Sequence, residues 1–296
     1  MNIRNLFLTN ETELRPRITF WRKNSLEEFY YLRDLTVEEW ANFHEMDLLI
    51  FKDEPMTEET FRSSIASINS LIIVVIDKET KKFIGYLMIR IHGNEGHIAR
   101  IGVHPDFQRK GLGSVLLEKS IHHLKKGKCT NYFLYVLEEN IPAINLYKKY
   151  GFYEETISYQ FKVPFTKLPE KPRGKCRHVE WGEIQLISLR FNQNPFRIQQ
   201  FFGNENQHVL TFEIMGQQIG FCRFSPNFPG AMPFILKDTN YIFDFVAHLK
   251  ELITNKEFDY IRITFDGQDK LLQKLTEEKI SLNYRLLKMR KEAQEE

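Results

Sequence analysis

Residues 98–113 read IARIGVHPDFQRKGLG, and their order decides how the rest of the chain is read. The stretch opens as a strand that holds Ile101 and Val103. The chain then turns at His104-Pro105-Asp106, crosses Gln108-Arg109-Lys110-Gly111-Leu112-Gly113, and enters an amphipathic run from Ser114 to Lys126. A strand, a glycine-bearing turn and a helix start, in that order, aim backbone N–H groups and the positive end of a helix dipole at one point, which suits a phosphate. Gly111 and Gly113 let the backbone approach such a ligand with no Cβ in the way. No Gly-Lys-Ser/Thr follows, which argues against a nucleotide P-loop.

Composition bounds the remaining possibilities. The chain has 296 residues, enough for two domains with a core each, and a formal net charge of +2. That balance gives no footprint for nucleic acid or an acidic membrane surface. The longest apolar run, Leu71–Ile76, is too short to span a bilayer and reads as a buried strand. The charged N-terminal stretch lacks the apolar core of an export signal, so a cytoplasmic location is expected. Cys129, Cys176 and Cys222 show neither a disulfide framework nor metal-ligand spacing, and no metal is expected.

Around the deciding stretch, Arg17–Arg22 reads as a first strand. Capping boxes at Ser25/Glu28 and Thr36/Glu39 predict helices over Leu26–Leu35 and Val37–Leu49, and Thr57 caps a third, to about Ser67. Leu71–Asp77 and Lys82–His92 form a hairpin about a polar turn at Lys78-Glu79-Thr80. Downstream come a strand (Asn131–Leu137), a helix (Pro142–Tyr150) and closing strands (Gly151–Val163). The order predicts an α/β fold, a mixed sheet flanked by helices. Residues 164–178, PFTKLPEKPRGKCRH, read as a linker between domains 1–163 and 179–296. From Val209 the order restarts. Hairpin Val209–Phe224, strand Met232–Leu236, helix Tyr241–Ile253, strand Tyr260–Phe265, helix Asp269–Glu278 and strand Leu282–Met289 repeat the first half, and Ile219-Gly220-Phe221 echoes Ile84-Gly85-Tyr86. The aromatic stretch Phe224–Phe234 reads as a domain-contact loop, with a lid reaching the first domain's groove as the alternative. Where the first half has Gln108–Gly113, the second has only Asp238-Thr239-Asn240, and Leu275-Thr276 stands in place of Leu146-Tyr147.

The Q-x-x-G-x-G pattern of Gln108–Gly113, with Asn140, Ala143, Leu146-Tyr147 and Gly151-Phe152 downstream, resembles the GNAT superfamily of N-acetyltransferases over residues 18–160. The second half looks like a degenerate GNAT-like domain. The resemblance implies acetyl-CoA as acyl donor, transferred directly to a primary amine of a small molecule or peptide. It places the pyrophosphate on Gln108, Arg109, Lys110, Gly111, Leu112, Gly113 and Ser114, and the pantetheine arm along Ile101, Gly102 and Val103 with help from Asn140. A backbone N–H there, foremost that of Val103, would stabilise the oxyanion. Tyr147 matches the family's general acid.

Several members carry a glutamate as base on the fourth strand. This chain has His97 at that spacing, with Glu95, His104 or a water chain as alternatives. Acidic residues on the first helices (Glu45, Asp47, Asp53, Glu54), beside Trp40 and His44, would draw a cationic acceptor. A protein that binds acyl-CoA without turnover is the rival reading.

Overall fold

The computed structural model describes residues 28–52, 55–204 and 206–293. The strand expected over Arg17–Arg22 lies outside them, as do Ser25, Leu26, Asp53 and Glu54. In chain order the elements are β1 (Tyr30–Asp34), α1 (Trp40–Ile50), α2 (Glu58–Ala66), β2 (Ser70–Asp77), β3 (Phe83–His92), β4 (Glu95–Val103), α3 (Leu112–Lys126), β5 (Asn131–Leu137), α4 (Ile141–Lys149) and β6 (Tyr153–Pro164). There follow β7 (Lys175–His178), α5 (Ile184–Phe191), α6 (Pro195–Gln199), β8 (His208–Ile214), β9 (Gln217–Ser225), β10 (Gly230–Leu236), α7 (Ile242–Lys250), β11 (Tyr260–Asp266), α8 (Asp269–Glu277) and β12 (Ser281–Glu292). One run of elements occurs twice, from β1 and again from β7: a strand, two helices, three strands, a helix, a strand, a helix and a strand.

The chain forms two compact units. Among the described residues, one takes 28–134, 145–153 and 290–293, and the other takes 135–144 and 154–289. In the first unit the strand order is β1-β2-β3-β4-β5, antiparallel except for the parallel pair β4/β5. Phe43, Met46 and Phe61 of the first two helices pack on Val74, Tyr86 and Met88 of the sheet. On the other face, α3 buries Leu112, Leu116, Leu117 and Leu124, an i, i+4, i+5, i+12 stripe expected of a core-facing helix. Thr57 Oγ1 accepts the Thr60 N–H and so starts α2 as its sequence predicts.

His123, on α3, has its pKa pushed down to about 3 by burial beside His122, Lys119 and Lys126. The folded chain holds this imidazole neutral, whereas the unfolded chain protonates near its ordinary value of about 6.5. Stability is therefore lost as pH falls from 6.5 towards 3. His123→Gln should raise the melting midpoint at pH 4 relative to the parent chain far more than at pH 8, which thermal melts at the two pH values would check.

In the second unit the order is β12-β6-β11-β10-β9-β8-β7, and β10/β11 is the parallel pair corresponding to β4/β5. Its core is rich in phenylalanine: Phe212 stacks on Phe245 at 4.9 Å, and Phe234 on Phe245 at 5.0 Å.

Several expectations change. Leu26–Leu35 is not a helix in its described part, because Tyr30–Asp34 pairs antiparallel with Ile73–Asp77. Cross-strand pairing outweighs the local capping signal there. The helix expected from Val37 starts as a 3-10 turn, Val37–Glu39, and becomes α-helical at Trp40. Residues 164–178 are ordered structure, with a 3-10 turn at Phe165–Lys167 and β7. Phe165, Leu168 and Cys176 pack against the second core, and Arg173 pairs with the buried Asp244 at 2.8 Å. Phe224 and Phe234 are wholly buried in that same core on β9 and β10, so the aromatic stretch is mostly strand rather than a contact loop. Helices α5 and α6 had no counterpart in the sequence reading.

Candidate functional site

The glycine turn adopts the conformation its sequence calls for. Gly111 sits at the N-cap of α3 with φ 91°, a left-handed backbone that glycine adopts without strain, and Arg109 before it has φ 61°. No side chain caps this helix. Ser114 and Val115 donate to the Gly111 carbonyl at 3.1 and 3.2 Å, so the first-turn N–H groups of Leu112 and Gly113 remain as the outward-facing donors. Gln108 through Gly111 are exposed and Leu112 is buried. One member of the motif serves the protein itself. Gln108 Nε2 donates to the Val103 carbonyl at 3.1 Å, which ties the loop to the end of β4. A Cβ on Gly113 would stand 3.4 Å from Leu146, an ordinary contact, so α3 lies beside α4 there without needing a glycine. Lys110 lies over the Phe107 ring at 4.8 Å, which holds its charge beside the turn.

The end of β4 is a half-open strand edge. Parallel pairing with β5 runs only from Glu95/Asn131 to His97/Phe133. On the opposite edge, His104 N–H donates to Ile84 O at 2.9 Å, and Val103 stands opposite Gly85, Gly102 opposite Tyr86 and Ile101 opposite Leu87. Bonded and non-bonded pairs alternate along an antiparallel ladder. The His104/Ile84 and Gly102/Tyr86 pairs are therefore the bonded ones. The N–H and C=O groups of Ile101 and Val103 point away from β3, over the stretch where β5 pairing has ended. Gly85 is required opposite them, since a Cβ there would meet the Gly102 oxygen at 2.8 Å.

A bulge at Ala99 sets the side-chain faces. Gly96 faces Leu124 of α3, whereas Gly102 faces Ile50 and Phe51 at the end of α1, although the two are an even number of residues apart. His97 thus shares the α1 face with Arg100, and its ring stacks on Phe133 at 4.4 Å. At about 3.3 Å per residue, His97 lies on the order of 20 Å from Val103 and 13 Å from Ile101 along the strand. An imidazole there does not touch a carbonyl held at either N–H, so a proton would reach it only through water. Glu95 lies farther still along the same strand.

Tyr147 is buried on α4, edge-on to Phe152 at 6.1 Å. Leu146 against Gly113, and Tyr150 donating to Glu118 at 2.7 Å, lay this end of α4 along the first turns of α3. Burial pushes the Tyr147 hydroxyl up to about 12. Asn140 belongs to the second compact unit, and its Oδ1 accepts the Ala143 N–H at 3.2 Å, a helix-capping role.

The sequence reading missed a buried charged cluster behind β4. Asp47 on α1 is fully buried, accepts the Met56 N–H and the Tyr86 hydroxyl, and pairs with Arg100 at 3.1 Å. Arg100 also lies over the Phe51 ring at 4.6 Å. Asp47 is therefore no lure for a cationic acceptor; it locks α1 and residue 56 to the strand that carries Ile101 and Val103. Local sequence holds no signal of this, because the partners are 39 and 53 residues away. Asp47→Ala should cost on the order of 2–4 kcal/mol, since the buried Met56 N–H and Tyr86 hydroxyl lose their acceptor; urea unfolding measures it. Among the described residues no group of three or more His, Cys, Asp or Glu side chains is placed to hold a metal ion, and no helix is long and apolar enough to cross a membrane.

Comparison with known proteins bears on this geometry. Residues 29–152 match the family model of the acetyltransferase (GNAT) family. These residues form a GNAT domain. Within it, a mycothiol acetyltransferase of Thermobifida fusca is 33% identical over 107 residues, which is 33% of this chain and 32% of that protein. The [ribosomal protein bS18]-alanine N-acetyltransferase of Escherichia coli K12 is 38% identical over 76 residues, 26% of this chain and 51% of that protein. The chain thus spans a third to a half of the length of these relatives. Over the whole chain, the fold is that of a putative acetyltransferase from Pyrococcus horikoshii, with a TM-score of 0.69 at 14% identity, covering 96% of this chain and 94% of that one. A GCN5-related N-acetyltransferase from Sphaerobacter thermophilus follows at TM-score 0.67 and 11% identity, covering 89% and 95%. The GNAT domain accounts for β1 through α4, the elements that build the turn, the open strand edge and Tyr147.

Proposed function

We propose that this chain transfers an acetyl group from acetyl-CoA to a primary amine by direct attack, using its GNAT domain. The observation that carries the reading is the uncapped start of α3, with Gly111 left-handed at its N-cap, next to a strand whose Ile101 and Val103 N–H groups face an unpaired edge. The pyrophosphate would rest on the Leu112 and Gly113 N–H groups, with charge from Arg109 and Lys110. An extended arm would lie along β4 as an added strand. One outward N–H would face the thioester oxygen and stabilise the charge that develops there as the amine nitrogen bonds to the acetyl carbon. When the carbon–sulfur bond breaks, the sulfur needs a proton. Tyr147 keeps its proton throughout the neutral range, so it is available as the donor. Its pKa of about 12 lies above that of a free thiol, about 8.5, so the transfer also draws on the proton that the attacking amine gives up.

The bS18-alanine relative, by its name an N-acetyltransferase, supports a nitrogen acceptor, small molecule or peptide. Cys129, Cys176 and Cys222 as free thiols support a reducing, cytoplasmic setting. The distance of His97 from the open edge favours one rival, an acyl-CoA-binding module without turnover. Titration calorimetry with acetyl-CoA, followed by a free-thiol assay with and without added amines, separates the two. Binding with amine-dependent thiol release supports the transferase. Binding with no release across a broad amine panel supports the module, and no binding removes both.

A further inference from the structure

The second compact unit repeats the half-open strand edge, and there the edge is filled. Parallel pairing of β10 with β11 covers Gly230/Arg262 and Ala231/Ile263 only. Lys237 N–H donates to Ile219 O at 2.8 Å, as His104 does to Ile84, and Leu236 stands opposite Gly220 and Phe234 opposite Cys222. By the same alternation, the Leu236 N–H and the Phe234 C=O point away from β9. They correspond one for one to the Val103 N–H and the Ile101 C=O. In the second unit both groups have a partner. Gln268 Oε1 accepts the Leu236 N–H at 3.0 Å, and Gln268 Nε2 donates to the Phe234 O at 2.9 Å. Gln268 immediately precedes α8, the place Asn140 holds before α4. With one more methylene than asparagine, its carboxamide crosses to the strand, while Asn140 bonds back to its own helix.

We propose that Gln268 is a built-in plug: its carboxamide occupies a slot in the second unit shaped for the successive amides of an extended ligand such as pantetheine. A primary carboxamide turns its acceptor and one donor to the same side, which is the pair that Leu236 and Phe234 require; a trans secondary amide points them opposite ways, so an extended ligand meets that pair with the C=O of one amide and the N–H of the next, and pantetheine has two. The entrance for phosphates is closed as well. Asp238 places a carboxylate at the start of the turn into α7 and caps the Asn240 N–H at 3.0 Å. The plug holds the chain to one acyl-CoA per molecule.

The inference goes beyond the proposed activity and is tested apart from it. Thermal melts of the full chain and of Gln268→Ala would be recorded with millimolar pantetheine, and with cysteamine as an amide-free thiol control. Without ligand, Gln268→Ala should melt several degrees below the parent, because two buried backbone groups lose their partner. Pantetheine should then raise the midpoint of Gln268→Ala by at least about 3 °C more than that of the parent, and cysteamine should raise neither. The difference between the two proteins cancels whatever the first unit binds. Equal pantetheine shifts, or a variant that melts like the parent, would overturn the plug. Should Gln268→Ala fail to fold, Gln268→Glu serves the same comparison: it keeps the size and the bond from Leu236 but turns an acceptor towards the Phe234 carbonyl. A parent chain that fails to bind acetyl-CoA would remove the proposed transferase and leave this difference to be read.

Discussion

Gly111→Glu is expected to weaken acetyl-CoA binding at least about 100-fold, close to 3 kcal/mol, while the chain stays folded. Two effects add. A carboxylate at the N-cap of α3 would stand where the outward N–H groups of Leu112 and Gly113 converge, and would repel the pyrophosphate. The substitution also forces a side chain into φ 91°, a conformation only glycine adopts freely. Gly111→Asn separates the two, because asparagine tolerates left-handed backbone and carries no charge. Calorimetric titration should place Gly111→Asn within about tenfold of the parent and Gly111→Glu beyond detection. Equal losses in both variants would mean that backbone geometry, rather than phosphate recognition, is what the glycine supplies.

Tyr147→Phe should lower kcat roughly 100-fold and leave the acetyl-CoA Kd within about threefold, the split expected of a group that only donates a proton. The phenyl ring keeps the contact with Phe152, so folding should be untouched at neutral pH. The raised pKa supplies an independent check. The folded chain keeps the Tyr147 proton up to about pH 12, whereas an unfolded tyrosine releases it near 10. The stability this group contributes is whole below pH 10 and is lost as pH rises towards 12. The phenylalanine variant should therefore gain stability relative to the parent across that window and match it at pH 8. An unchanged kcat, under conditions where chemistry limits the rate, would leave Tyr147 as a packing residue.

The parts of the site that could be read directly were those with short-range causes. The Thr57 cap, the turn after Asp77 (whose Oδ1 accepts the Thr80 N–H at 2.7 Å) and the left-handed Gly111 each follow from a few neighbouring residues. What misled the reading was a local signal defeated by a distant partner. A capping box at Ser25/Glu28 argued for helix, and pairing with β2 made a strand. An acidic residue on a helix argued for a solvated lure, and Asp47 is buried against Tyr86 and Arg100.

By itself, then, the sequence determined the order of elements from β2 onward through the first half, the phosphate-type turn before α3, and the repeat of that order from β8 to β12. Apolar period, glycine and caps act within a turn or a few residues, and they are written in consecutive letters. Only the tertiary structure decided which backbone groups face the open edge of β4, because that depends on hydrogen-bond alternation against β3 and on a bulge at Ala99. It alone revealed Gln268 filling the matching edge of β10, across 32 residues of chain. Side chains that far apart meet only once packing has chosen their neighbours. That is why the phosphate-type turn was legible in the sequence and the closure of the second edge was not.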